Sequence, residues 1–220
     1  MPAATNRAIL ITNPTNDLSL TTLLGRISEG KHVMSVGKRD SIFSQGDRAD
    51  SVYFIQTGRV KVSVVSYSGK EGVLEMLGPQ TFLGEESLAK HPLRTSTATA
   101  LEPSTMLQVK KRAMLDALRA QPDLSERFMA FLLKRTIDLE EDVCDHIFNQ
   151  SEKRLARVLL KLAQLRGYER WQDATITRLS HETLAVMVGT TRSRITIFMN
   201  KFKSMGLIAY TRHGETTALK

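Results

Sequence analysis

Residues 180–208 read SHETLAVMVGTTRSRITIFMNKFKSMGLI, and the punctuation of this stretch decides the fold of the chain's last third. Ser180 suits the N-cap of a short helix through Leu184, Val186 and Val188. Gly189 then supplies a tight turn, and Thr191 caps a second helix running from Arg192 to about Met205, which Gly206 ends. Helix, glycine turn and polar-capped second helix make the helix-turn-helix pattern. Ile195, Phe198, Met199 and Phe202 share one face of the second helix. After it, Ile208–Thr211 and Thr216–Leu219 flank Arg212-His213-Gly214-Glu215, the signature of a hairpin wing. In such motifs the first turn of the second helix enters the major groove of DNA. The residues expected to bind DNA are therefore Ser180, Thr190, Thr191, Arg192, Ser193, Arg194, Thr196 and Lys201, with Lys203 and Arg212 as further phosphate contacts.

The charge distribution agrees. Residues 1–150 carry 18 basic and 18 acidic side chains, whereas residues 151–220 carry 13 basic against 5 acidic and so hold the whole net charge of +8. A neutral front and a basic back point to a polyanion met by the back alone. Enzyme chemistry finds no purchase. Cys144 and His146 lie two apart on a helix and face different ways, and no metal-ligand cluster, Gly-rich phosphate loop or nucleophile motif stands elsewhere. The single cysteine, Cys144, and the brevity of the one membrane-like run, Ala8 to Thr12, give a cytoplasmic protein as the expectation.

Upstream the texture changes. The first sixteen residues read as a loose lead-in, and a short helix is expected from Leu18 to Ile27. From Met34 to Val109, short β-type runs such as Val52–Ile55 and Val60–Val65 alternate with turns such as Gln45-Gly46-Asp47 and Gly78-Pro79. Many short strands with frequent turns describe a sandwich, barrel or jelly roll. The runs Tyr53–Thr57 and Val60–Ser66 around Gly58 predict a tight hairpin. From Pro122-Asp123 to about Phe148 the sequence predicts one long helix. Along it Met129, Leu132, Thr136, Leu139, Val143 and His146 follow alternating steps of three and four. That heptad seam suits the interface of a homodimer better than burial in a globule. Phe128, Phe131 and Ile137 form a second face suited to packing on the β domain. A break at Phe148–Ser151, with Ser151 as a cap, coincides with the onset of the basic segment.

The resulting division is a β domain over residues 1–122, a dimerisation helix over 123–148 and a winged helix-turn-helix over 149–220. The fold class is α+β.

Several stretches together resemble the Crp/Fnr superfamily of transcription regulators over nearly the whole chain. They are Ile42-Phe43-Ser44-Gln45-Gly46-Asp47, Tyr53-Phe54-Ile55-Gln56-Thr57-Gly58, Phe82-Leu83-Gly84-Glu85-Glu86-Ser87-Leu88, Arg94-Thr95-Ser96, Arg154-Leu155-Ala156 and Val188-Gly189-Thr190-Thr191-Arg192. The resemblance implies a β-roll that binds a cyclic nucleotide, cyclic AMP or another. Gly84 would bring an amide to the phosphate, Glu85 would bind a ribose hydroxyl, Arg94 would pair with the phosphate and Thr95 would add a hydrogen bond. It also implies a homodimer on a palindromic operator in double-stranded DNA, a contact with RNA polymerase, and no membrane.

The departures from the family pattern are specific. The Thr-Ser pair that reads adenine in the cyclic-AMP receptor is matched here by Leu139 and Glu140, and Glu86 adds a carboxylate beside the anion site. Arg192 matches a guanine-reading arginine, but its acidic neighbour is replaced by Ser193 and a second reading arginine by Ile197. Half-sites unlike that receptor's are expected. A regulator that needs no effector, with an empty pocket, is the alternative.

Overall fold

A computed structural model describes residues 19–67, 69, 71–89, 91–164, 174–177, 179–210 and 216–219. A short helix, α1 (Leu20–Gly25), leads into eight strands: β1 (Lys31–Val36), β2 (Ser41–Phe43), β3 (Ser51–Thr57), β4 (Val60–Val65), β5 (Glu71–Leu77), β6 (Phe82–Leu83), β7 (Thr97–Ala100) and β8 (Ser104–Lys110). They form two antiparallel four-stranded sheets, ordered β1-β8-β3-β6 and β2-β7-β4-β5. Between the sheets lie Val36, Phe43, Tyr53, Ile55, Val62, Leu77, Leu83 and Met106. The first sheet is covered on its other face as well, which is why Ser51–Ile55 are all buried. There Val52 and Phe54 meet Leu23 and Leu24 of α1, Met114 of α2 (Lys111–Ala120), and Leu124 and Phe128 of α3 (Pro122–Phe148). The alternation along β3 thus feeds two cores at once. Phe82 ties the second one, with ring centroids 4.9 Å from Phe54, 5.0 Å from Phe128 and 5.3 Å from Phe131.

The expected β3–β4 hairpin is not formed. β3 and β4 belong to different sheets, and the Gly58 turn carries the chain from one to the other. The hairpin partner of β4 is β5, with Val60 opposite Leu77 and Val65 opposite Glu71.

The long helix α3 runs from Pro122 to Phe148 as its sequence predicts. Phe128 and Phe131 face the β domain, but Ile137 does not and is exposed. Met129, Leu132, Thr136, Leu139, Val143 and His146 are exposed too, in a band that also takes in Leu133 and Ile147.

The last third comprises α4 (Ser151–Gln164), β9 (Thr175–Thr177), α5 (His181–Val188), α6 (Arg192–Ser204), β10 (Ile208–Tyr210) and β11 (Thr216–Leu219). β11 pairs with both β10 and β9. The wing tip, Arg212 included, lies outside the described residues. Leu155, Leu159 and Leu162 of α4 pack with Leu184 and Val188 of α5 and Ile195, Met199 and Phe202 of α6. Met76 of β5 belongs to this same buried cluster. No helix among the described residues is long and apolar enough to cross a membrane.

Candidate effector cassette and DNA-reading face

The cassette is built where β6 ends. Gly84 is buried with φ +75°, and a Cβ there would lie 2.6 Å from Arg94 Nη1. Glycine therefore lets the guanidinium lie against the backbone. A 3-10 turn, Glu85–Ala89, follows.

Arg94 is 3% exposed. Its Nη1 donates to the Gly84 carbonyl at 2.9 Å and to the Glu86 carboxylate at 3.0 Å, and its Nη2 donates to the Ser51 carbonyl at 2.6 Å. The guanidinium stacks over Phe43, 4.3 Å from the ring centroid, so its charge is held by a π face as well as by hydrogen bonds. Its Nε is buried without a partner, as are Glu85 Oε2 and Ser87 Oγ. Arg94 thus lies against Gly84, and Glu85 follows in the next turn, whereas Thr95 is exposed.

The residue that the sequence reading missed is Arg135 of α3. Its Nη1 donates to Glu85 at 2.6 Å and its Nη2 to Glu75 of β5 at 2.7 Å. One cation joins the cassette, the long helix and the strand that touches the C-terminal core. Burial pushes the Glu85 carboxyl above its ordinary range, with Arg135 opposing, and the same holds at Glu75. The one signal in the sequence was a cation a single helical turn before Leu139. Leu139 and Glu140 themselves are exposed on α3.

On the DNA side, the caps fall where the sequence puts them. Ser180 Oγ accepts from the Thr183 amide at 3.0 Å, and Thr191 Oγ1 from the Arg194 amide at 3.3 Å. Gly189 ends α5 in the left-handed conformation, and the Thr190 amide donates to the Ala185 carbonyl at 2.9 Å. Arg192, Ser193 and Arg194 are exposed on the first turn of α6. Two of the expected DNA contacts are engaged elsewhere. Thr196 is half-buried; its hydroxyl donates to the Arg192 carbonyl at 3.1 Å and shares a 2.9 Å hydrogen bond with His181 Nδ1. Lys201 pairs with Glu152 of α4 at 2.7 Å.

Arg154, the first residue of the Arg-Leu-Ala motif, has a clear structural role. It donates Nε to the Val188 carbonyl at 2.9 Å, Nη1 to the Asn149 carbonyl at 2.8 Å and Nη2 to the Gly189 carbonyl at 3.3 Å. The α3–α4 junction and the turn between α5 and α6 are thereby fastened to one side chain.

Residues 33–121 match the family model of the cyclic nucleotide-binding domain, and residues 153–219 that of the Crp-like helix-turn-helix domain. The chain belongs to the Crp/Fnr family of DNA-binding transcription regulators. It is 28% identical over 169 residues to the CRP-like cAMP-activated global transcriptional regulator of Mycobacterium tuberculosis, covering 76% of this chain and 75% of that one. To the cAMP-activated global transcriptional regulator CRP of Pasteurella multocida it is 24% identical over 206 residues, covering 93% and 96%. Among solved structures, the c-di-GMP-responsive global regulator CLP of Xanthomonas campestris shares the fold. Its TM-score is 0.73 at 22% identity, over 90% of this chain and 98% of that one. The relatives are regulators, not enzymes.

Proposed function

We propose that this Crp/Fnr family member acts as a homodimer on a palindromic operator, under the control of a phosphate-bearing nucleotide effector held by Gly84, Glu85, Ser87 and Arg94. The observation that carries the effector reading is the trio of buried polar atoms without partners: Glu85 Oε2, Ser87 Oγ and Arg94 Nε. An unmet buried polar atom costs about 1–3 kcal/mol, and three of them in one cassette argue for a ligand that meets them. The set is an acceptor, a hydroxyl and a cationic donor, which suits a ribose hydroxyl beside an anionic phosphate.

The base of that nucleotide meets different chemistry from that in the cyclic-AMP receptor. Leu139 donates no hydrogen bond, and Glu140 accepts from an exocyclic amino group without donating one. Cyclic AMP and other cyclic nucleotides are therefore all candidates.

The homodimer reading rests on the exposed apolar band of α3. Met129, Leu133, Leu139, Val143 and Ile147 are each more than half exposed, and a contiguous band of this kind marks an interface. In the dimer, the 149–151 junction would set two α6 helices about 34 Å apart, one turn of DNA. Effector binding would act through Arg135, which spans Glu85 and the β5 strand lying against α5. The likeness to transcription regulators supports a contact with RNA polymerase as well.

The second reading, a regulator that needs no effector, is favoured by Glu86, whose carboxylate already serves Arg94 as an anion. Calorimetric titration of the whole protein with cyclic AMP, cyclic GMP and cyclic di-GMP separates the two. Arg94→Lys, which keeps the charge but loses the fork, is the control. Saturable binding weakened in the variant supports effector control. Full operator affinity with no nucleotide binding supports the second reading.

A further inference from the structure

The outer face of α6 carries one large apolar side chain. Of the helix's apolar residues, Ile195, Met199 and Phe202 are buried, Phe198 is half-buried, and Ile197 alone is exposed, at 63%. It stands four residues after Ser193 and three after Arg194, so the three share a face. That face begins at the exposed Ser193 and Arg194 of the first turn and points away from the α4 and α5 core.

The neighbours of Ile197 narrow what it can do. The Thr196 hydroxyl is taken by the Arg192 carbonyl and His181, and the Lys201 ammonium by Glu152. No Asp or Glu occurs anywhere in α6, so no carboxylate is available there to accept from a cytosine amino group. Isoleucine neither donates nor accepts a hydrogen bond, and what it recognises is another apolar group. In the major groove the base edges present one such group, the C5-methyl of thymine.

We propose that Ile197 is a specificity-determining residue that selects thymine in each half-site by covering its C5-methyl. The assignment rests on α6 lying in the major groove. Ile197 lies five residues beyond Arg192, about 7.5 Å along the helix at 1.5 Å per residue. The thymine therefore falls within two or three base pairs of the base that Arg192 meets.

Sequences selected by the full-length protein from a random duplex library, with and without cyclic AMP, give the operator. Each thymine of its half-site is then replaced in turn by uracil, which removes the methyl group and leaves the hydrogen-bonding edge intact. At one position uracil should weaken binding about fourfold per half-site, the worth of one buried methyl. In Ile197→Ala that uracil penalty should vanish while the rest of the consensus is retained, and Ile197→Val should keep part of it. A uracil penalty of equal size in wild type and Ile197→Ala overturns the assignment, as does an operator without a conserved thymine in this window. Failure to select any sequence overturns the groove placement itself, a result distinct from the other two.

Discussion

The Nη1 of Arg94 lies 3.0 Å from the Glu86 carboxylate, an ion pair whose cationic side chain is 1% exposed. A buried cation needs an anion, and the chain supplies one next to the residue that would bind the ribose. Under the proposed effector reading, Glu86 would compete with an entering phosphate for Arg94. Glu86→Gln should raise the affinity for cyclic AMP about tenfold, the worth of one charge-assisted hydrogen bond, in the titration described above. A weaker affinity in the variant would make Glu86 a ligand contact instead.

Gly84→Ala places a Cβ 2.6 Å from Arg94 Nη1 at a residue with φ +75°. Either the guanidinium moves or the turn does. We expect a loss of about 1–3 kcal/mol in thermal denaturation, together with loss of nucleotide binding. Unchanged stability would show that the turn relaxes freely.

Arg135→Met removes the cation shared by Glu85 and Glu75, carboxyls that burial already pushes upward. With the opposing charge gone, both rise further. A carboxyl raised in the folded state binds more protons folded than unfolded, so stability falls as pH rises through the raised value and recovers as pH drops below it. The variant should be less stable than wild type by about 1–3 kcal/mol at pH 8, given that both pairs are partly solvated, and by clearly less near pH 5. Paired melts at the two pH values check this. An equal deficit at both would assign the loss to packing.

Much of the C-terminal third was legible because its signals are local. Ser180, Gly189, Thr191 and Gly206 each act on the backbone within a few residues. What escaped depends on partners far along the chain. An arginine in a charged helix reads as solvated, and nothing near Arg135 reveals that Glu75 and Glu85, 60 and 50 positions away, converge on it. Thr196 looks free on a polar turn until His181, fifteen residues earlier, takes its hydroxyl. Gly58 marked a turn correctly, but a turn that stays within a sheet and one that leaves it carry the same local mark. The strand β9 is three residues long and offers no alternation to read. In the cassette, the resemblance points to Gly84, Glu85, Arg94 and Thr95 alike, and only the fold sets Thr95 out in solvent.

Val143→Glu places a carboxylate in the exposed apolar band of α3, where Val143 contacts solvent over more than half its surface. The monomer's fold should be intact by circular dichroism, while sedimentation velocity should shift from dimer to monomer. Affinity for a full palindrome should drop at least about a hundredfold, since joining the two half-sites supplies the avidity. A variant that stays dimeric would move the interface off this helix.

Met76 gives the two ends of the molecule a shared interior. A β-roll residue sits in the same apolar cluster as Leu184, Ala185 and Val188, so the DNA-binding portion is not a detachable module. Cut free at residue 149, it would present an open socket where the methionine had been. Such a fragment should bind the dye ANS and clump, and a chimera that sets it on a foreign sensor would need a hydrophobe delivered to the same spot. Grafting experiments should count Met76 as part of the DNA-binding half, although it precedes that half by more than seventy positions.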